Sequence, residues 1–369
     1  MTLFLRSYII ICSFICPGVL HAQDTLGVKK INSPEIGVKT QLGYLAIHST
    51  KMIALVEGHA TSFELYAEKI TTGKKNWHQA YRIPSVGLSA QLMAFGNPVQ
   101  MGKAFSLIPY MKLHLAKRRH FELNTRLGAG LGYLTKYFDR IENNKNSAIA
   151  SPLNAAISIN LEPEWKTRYI DLGLGISFIH FSNGAFKTPN MGFNIPSLSF
   201  SLGYKFNHQQ PVENKQKVFN EFQKKNYFDL MAIGGVKEIM PSGGPKYGFG
   251  GIHFQYRRHY SVKSNFLAIA DVNYNAGYVR AYKNKYKVDV KQASGIRAGI
   301  GIGYGLSFDR LCLSIQNGIY LYDQLDYDGI FYHRVAARYY FDNGFIAGFS
   351  LDTHFATADV VELGFGYSF

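Results

Sequence analysis

Apolar and polar residues alternate one by one through most of this chain. From Phe121 onward, Leu123, Thr125, Leu127, Ala129, Leu131 and Tyr133 share one face, and Glu122, Asn124, Arg126, Gly128, Gly130 and Gly132 share the other. Leu198, Phe200, Leu202, Tyr204 and Phe206 likewise stand opposite Ser197, Ser199, Ser201, Gly203 and Lys205. The last segment sets Val361, Leu363, Phe365, Tyr367 and Phe369 against Glu362, Gly364, Gly366 and Ser368. A period of two excludes helices and predicts strands. With aromatic and aliphatic side chains on one face and serine, glycine and charge on the other, these are strands of a membrane barrel. A bilayer tolerates no open sheet edge, so they must close on themselves.

Turn signals divide the pattern into roughly eight strands before Phe206 and roughly eight after Asn226. The first set begins near Glu35, Thr61, Pro84, Ala104, Phe121, Pro152, Arg168 and Pro196. The second begins near Tyr227, Lys246, Ser264, Gly295, Arg310, Gly329, Phe345 and Val360. The fold class is therefore all-β, an antiparallel transmembrane barrel or pair of barrels. One barrel of about sixteen strands would enclose water, whereas two of about eight would each be filled by side chains. The polar stretch from 208 to 226 reads as a linker between a unit at 23–207 and a unit at 227–369. Its length favours two units, because turns on the periplasmic side of one barrel are short. The two units end alike, Leu202-Gly203-Tyr204-Lys205-Phe206 against Phe365-Gly366-Tyr367-Ser368-Phe369, which hints at an internal duplication.

The chain's beginning sets the compartment. Arg6 precedes an apolar run from Tyr8 to Leu20, broken by Pro17, and Ala22 offers a small residue for cleavage. This is the pattern of a secretory signal peptide, residues 1–22. Cys12 and Cys16 lie inside it, and Ile15 before Cys16 argues against a lipoprotein anchor. Cys312 then stands alone, so no intramolecular disulfide is expected. No later apolar run reaches the ~18 residues of a helical span. Aromatic residues make up 15% of the chain and glycines number 36, with a mean hydropathy of only −0.09, the average that strict alternation produces. The net charge of +15 suits either the phosphates of anionic lipid or plain solvated loops. The expected location is the outer membrane, with the Phe369 strand read by the barrel insertion machinery.

One strand carries chemistry on its apolar face. Leu172, Leu174, Ile176 and Phe178 lie on one side, and two further steps along the same side give His180 and Ser182. Residues two apart on a strand have Cα atoms about 6.5 Å apart, which lets an imidazole approach a hydroxyl. A general base and a nucleophile would then sit on the outer wall. With a periplasmic N-terminus this is the seventh, outward-running strand, so the pair would lie level with the outer leaflet. By itself H-x-S is weak, since a strand that has left the hydrocarbon carries such residues at no cost.

The residues that follow sharpen the reading. His180-Phe181-Ser182-Asn183-Gly184-Ala185 and Pro189-Asn190-Met191-Gly192 resemble the H-x-S-N and P-N-x-G signature of the PagL-type lipid A 3-O-deacylases, eight-stranded outer-membrane barrels. Ser151-Pro152-Leu153-Asn154 matches less specifically, and the second half is not explained. The resemblance implies hydrolysis of the ester at the 3-position of lipid A, with Ser182 as nucleophile and His180 as base. It implies oxyanion stabilisation by Asn190 and the backbone of Gly184 and Ala185, with Asn183 as a further candidate that could equally form an Asx-type turn. The family's third member is a glutamate, and Asn194 stands in its place. An amide oxygen can orient an imidazole but cannot stabilise its cation by charge.

The remaining signals add little. Thr353-His354-Phe355-Ala356-Thr357 echoes the site, but Ala356 has no hydroxyl and the parity of His354 turns it inward. Asp342-Asn343-Gly344 reads as a hairpin turn. Gly299, Gly301, Gly303 and Gly305 mark a wall of small residues, and Arg257, Arg258 and His259 read as an interfacial basic anchor. No histidine spacing suggests a metal, and no cofactor or nucleic-acid partner is expected. A lipid A or related glycolipid substrate, the membrane itself and a second copy of the chain are the candidate partners. A non-catalytic barrel, channel or scaffold, is the competing reading. A soluble lipase is excluded by the strand pattern and by the lack of a G-x-S-x-G elbow around Ser182.

Overall fold

A computed structural model of the chain describes residues 34–206, 225–355 and 357–369. The expected signal segment and nearly all of the expected linker lie outside the described residues. The strands are β1 (Pro34–Gly43), β2 (Ala60–Ile70), β3 (Ser85–Ala94), β4 (Lys103–Lys117), β5 (Phe121–Leu134), β6 (Leu153–Lys166), β7 (Ile170–Ser182) and β8 (Phe193–Lys205). They continue as β9 (Asn226–Glu238), β10 (Lys246–His259), β11 (Ser264–Asn275), β12 (Ile296–Phe308), β13 (Leu311–Asp323), β14 (Phe331–Tyr340), β15 (Phe345–His354) and β16 (Thr357–Ser368). Each begins within about three residues of its expected start.

These strands close as two barrels, β1–β8 and β9–β16. β1 pairs antiparallel with β8, Val38 opposite Leu202, and β9 with β16, Ile233 opposite Gly364. Every edge is thereby used, as hydrocarbon requires. Leu172, Leu174, Ile176 and Phe178 of β7 are exposed on the outside, whereas Asp171, Gly173 and Ser177 face in. Among the described residues no helix is long and apolar enough to cross a membrane.

The lumens are packed rather than open. In the first barrel Lys112 lies 2.5 Å from Glu68 and 3.1 Å from Glu164, and Lys39 and Arg126 pair with Glu162 and Glu64. A void among these groups measures only about 10 Å³, the space of one water. In the second barrel the buried Arg334 reaches Asp271 and Glu362, each at 3.0 Å. Eight strands bring opposite walls close enough for such side chains to meet across the axis. Arg257 belongs to this interior, 3.0 Å from Asp229 and buried, so it is not part of an interfacial anchor. Its parity decides this: Phe254 and Tyr256 face out, so Gln255 and Arg257 face in.

At the end of the first barrel where β7 finishes, the end expected to face outward, the inward row turns apolar. Phe95, Phe181, Phe193 and Ile195 pack there with Leu45, Met52, Leu55 and Ile149, capping the polar lumen. Met52 and Leu55 come from a short 3-10 turn, Thr50–Leu55, inside the β1–β2 loop. Two helices lie in loops where alternation is silent: α1 (Asn76–Ala80) and α2 (Ala276–Tyr286), the latter capped by the Asn275 side chain on the Tyr278 N–H. The Asp342–Gly344 turn is present, with Gly344 at φ +85°.

The barrels touch at both ends. At one end Lys75 pairs with Asp309 at 2.5 Å, and Tyr81 stacks on Phe308. At the other end the β7–β8 loop meets the β9–β10 hairpin, where the Glu238 N–H donates to the Ala185 carbonyl at 3.1 Å. The ends at which β7 and β9 finish are thus in contact with each other.

Candidate active site

Phe181 fixes the direction of its neighbours. Its ring is fully buried in the outer cap, edge-on to Phe95 with centroids 5.7 Å apart. With Phe181 held inward, alternation turns His180 and Ser182 outward. On the adjacent strand Phe193 is buried against the same Phe95 ring, so Asn194 also points outward. Register then places His180 directly opposite Asn194.

The pair is hydrogen bonded. His180 Nδ1 lies 2.6 Å from Asn194 Oδ1, and Asn194 Nδ2 lies 3.3 Å from His48 Nδ1. An amide oxygen only accepts, so His180 carries its proton on Nδ1 and leaves Nε2 as the acceptor nitrogen. The amide nitrogen only donates, so His48 accepts through Nδ1. The two contacts together set the orientation of the Asn194 amide. Among the described residues no carboxylate is bonded to His180.

Ser182 ends β7 and is largely covered, at 9% exposure. Its Oγ accepts from the Gly184 N–H at 3.4 Å and makes no hydrogen bond to His180. The β7–β8 loop that follows is tied down from several sides. The Asn183 N–H donates to Asn190 Oδ1 at 2.9 Å, Asn183 Nδ2 donates to Ser151 Oγ at 2.9 Å, and Asn183 Oδ1 accepts from the Lys187 N–H at 3.3 Å. Ser151 is held by Asn154, whose Oδ1 lies 3.2 Å from its Oγ. Asn183 is thus engaged at both ends of its amide, its oxygen reaching the N–H four residues on rather than the one two residues on that an Asx-type turn would use. Gly184 and Ala185 both have positive φ, +61° and +64°, a conformation that suits glycine and strains alanine. Gly192 is required for a different reason, since a Cβ there would lie 2.7 Å from His180 Cε1.

The structure therefore gathers His180, Ser182, Asn183, Gly184, Asn190 and Asn194 at one end of the first barrel, with Ser151 behind them. His48 and Glu238 were not anticipated. Both arrive from loops or strand ends distant in sequence, and a lone histidine or a strand-end glutamate gives no local signal. His354 is buried in the second lumen, 3.1 Å from Tyr320 Oη, as its parity requires.

Two family models match the chain, in tandem. The lipid A 3-O-deacylase (PagL) model covers residues 61–205, and the acyloxyacyl hydrolase C-terminal domain (PagL_C) model covers residues 226–369. The chain belongs to the PagL family. Each PagL-family match falls on one of the two barrels. No curated protein matches the chain. Among solved structures, the crystal structure of the outer membrane enzyme PagL aligns with 45% of this chain and 97% of its own, at 17% identity and TM-score 0.32. Two mutants of the Rh. blastica porin align with 92% of this chain and 100% of theirs, at 11% identity and TM-score 0.19.

Proposed function

We propose that this chain is an outer-membrane esterase that removes the acyl chain ester-linked at the 3-position of lipid A. The observation that carries the reading is the His180–Asn194 hydrogen bond, which leaves Nε2 as the acceptor nitrogen of a ring two residues from Ser182 on the same row. In the first step Ser182 Oγ attacks the acyl carbonyl as its proton passes to His180 Nε2. The tetrahedral oxyanion has two unspent donors at hand, the Gly184 N–H and Asn190 Nδ2. The former now makes only a long contact to Ser182 Oγ, and the latter is not bonded among the described residues. Collapse breaks the ester C–O bond, and His180 returns the proton to the departing sugar hydroxyl. Water, deprotonated by His180, then attacks the acyl-serine and releases the fatty acid and Ser182.

Asn194 replaces the carboxylate of the family pattern. It holds the ring in place but adds no charge to stabilise the imidazolium, so the proposed enzyme is slower than a glutamate version of itself. The position suits a substrate embedded in the outer leaflet, because the site lies on the outer wall at the outward end of β7. A channel is the weaker reading, since both lumens are crossed by buried ion pairs.

Hydrolysis of lipid A by the purified protein in ¹⁸O-water tests the chemistry. Label in the carboxylate of the released acid is expected for an acyl-serine route. Label in the sugar hydroxyl would contradict it.

A further inference from the structure

The second barrel reaches into the first at one place only a few residues beyond Ser182. The Glu238 N–H, at the outer end of β9, donates to the Ala185 carbonyl at 3.1 Å. The Glu238 carboxylate binds on both sides: Oε1 accepts from Thr188 Oγ1 at 3.1 Å and from the Gly243 N–H at 2.7 Å, and Oε2 lies 3.0 Å from Lys246 Nζ. Lys246 in turn donates to the Phe186 carbonyl and stands over the Phe186 ring, 4.4 Å from its centroid. Ser242 Oγ adds a contact to Thr188 Oγ1 at 3.4 Å. The segment Ala185–Thr188 is thus fastened at Ala185, Phe186 and Thr188 by one hairpin of the other barrel. A side chain at Gly184 would also be stopped there, since its Cβ would lie 2.2 Å from Val361 Cγ2 of β16.

This grip acts on a strained segment. Ala185 at φ +64° pays a conformational cost that its own loop contacts must offset, and left alone it would relax toward negative φ. Such a rotation about Ala185 would swing the peptide that joins it to Gly184, and with it the loop end that holds the Gly184 N–H. We propose that the second barrel is a working part of the deacylase site, with Glu238 as the positioning residue that holds the oxyanion loop through Ala185 and Thr188. The proposal rests on the esterase reading above. Glu238 touches no substrate. Its effect reaches Ser182 only through the loop, so its loss lowers the rate of attack and leaves substrate binding nearly unchanged.

The test uses the full chain in detergent micelles and a long-chain alkyl fluorophosphonate, a probe that reports attack by Ser182 independently of which lipid is the natural substrate. Glu238→Ala is expected to lower the maximal labelling rate about tenfold, with half-saturation shifted less than twofold, the split expected when only the transition state loses support. Glu238→Gln, which keeps an acceptor for Thr188 and Gly243, should recover most of the loss. Thr188→Val leaves the second barrel untouched and should reproduce the defect, and the double variant should be no slower than the slower single one. Heat-modifiable gel migration checks that each variant is a closed barrel. Wild-type labelling in folded Glu238→Ala and Thr188→Val would overturn the positioning role and leave the esterase reading intact. A wild-type protein in which Ser182 takes no label would sink the esterase reading and this one with it.

Discussion

His180 and Asn194 face each other across the β7–β8 ladder, with Nδ1 of one 2.6 Å from Oδ1 of the other. That single contact fixes the tautomer of the proposed base and stands where the family pattern has a glutamate. Asn194→Ala should lower kcat by about tenfold to a hundredfold with the barrel intact, from loss of ring orientation. Unchanged turnover would remove Asn194 from the mechanism.

Asn194→Glu makes the opposite prediction. A carboxylate at this distance stabilises the imidazolium formed in each step, so kcat should rise. The same charge favours the protonated resting ring, so the acid limb of the pH–rate profile should move to higher pH. The full profile of both proteins checks the sign. A limb that stays in place would mean that His180 is not the titrating base.

His48 holds the far end of the Asn194 amide at 3.3 Å. A neutral hydrogen bond of this kind contributes about 0.5–1.5 kcal/mol. His48→Ala should therefore cost roughly twofold to tenfold in kcat, and nothing further once Asn194 is already alanine. Additive losses in the double variant would separate His48 from this chain of contacts.

Phe181 turns the site outward by being buried itself. Phe181→Ala removes a fully buried ring from the outer cap and should cost about 3–5 kcal/mol of stability. Denaturant titration in micelles measures that cost, and a loss below about 1 kcal/mol would mean that the cap is loosely packed.

The buried ion pairs argue for closed lumens. In planar bilayers the wild type should give no steady open-channel conductance. Arg334→Ala strands Asp271 and Glu362 in the second interior and should destabilise that barrel by about 3–5 kcal/mol. Porin-like conductance of the wild type would revive the channel reading.

Much of this architecture was legible from alternation, because inside and outside of a barrel differ at every residue. Ser197 and Ser199 inward, with Leu198 and Phe200 outward, leave one register for β8. The same parity put His180 and Ser182 on one wall, whereas Asn194 was reached only through the family resemblance. Closure was not legible, since no residue marks β8 as returning to β1 rather than passing on to β9. Nor was α2: Tyr278, Tyr282 and Tyr286 at helical spacing sit among lysines in a segment that reads as loop. Contacts that join distant segments, such as His48 on Asn194 and Glu238 on Thr188, left no local trace. Arg257 was misread because its basic neighbours outweighed its parity.

The central claim, that Ser182 deacylates lipid A, is tested most directly by mass spectrometry of lipid A from cells expressing the wild type or Ser182→Ala. The account predicts loss of one 3-linked hydroxyacyl chain with the wild type and full-length acylation with the variant. Identical lipid A from both, with the barrels folded in the membrane, would contradict it.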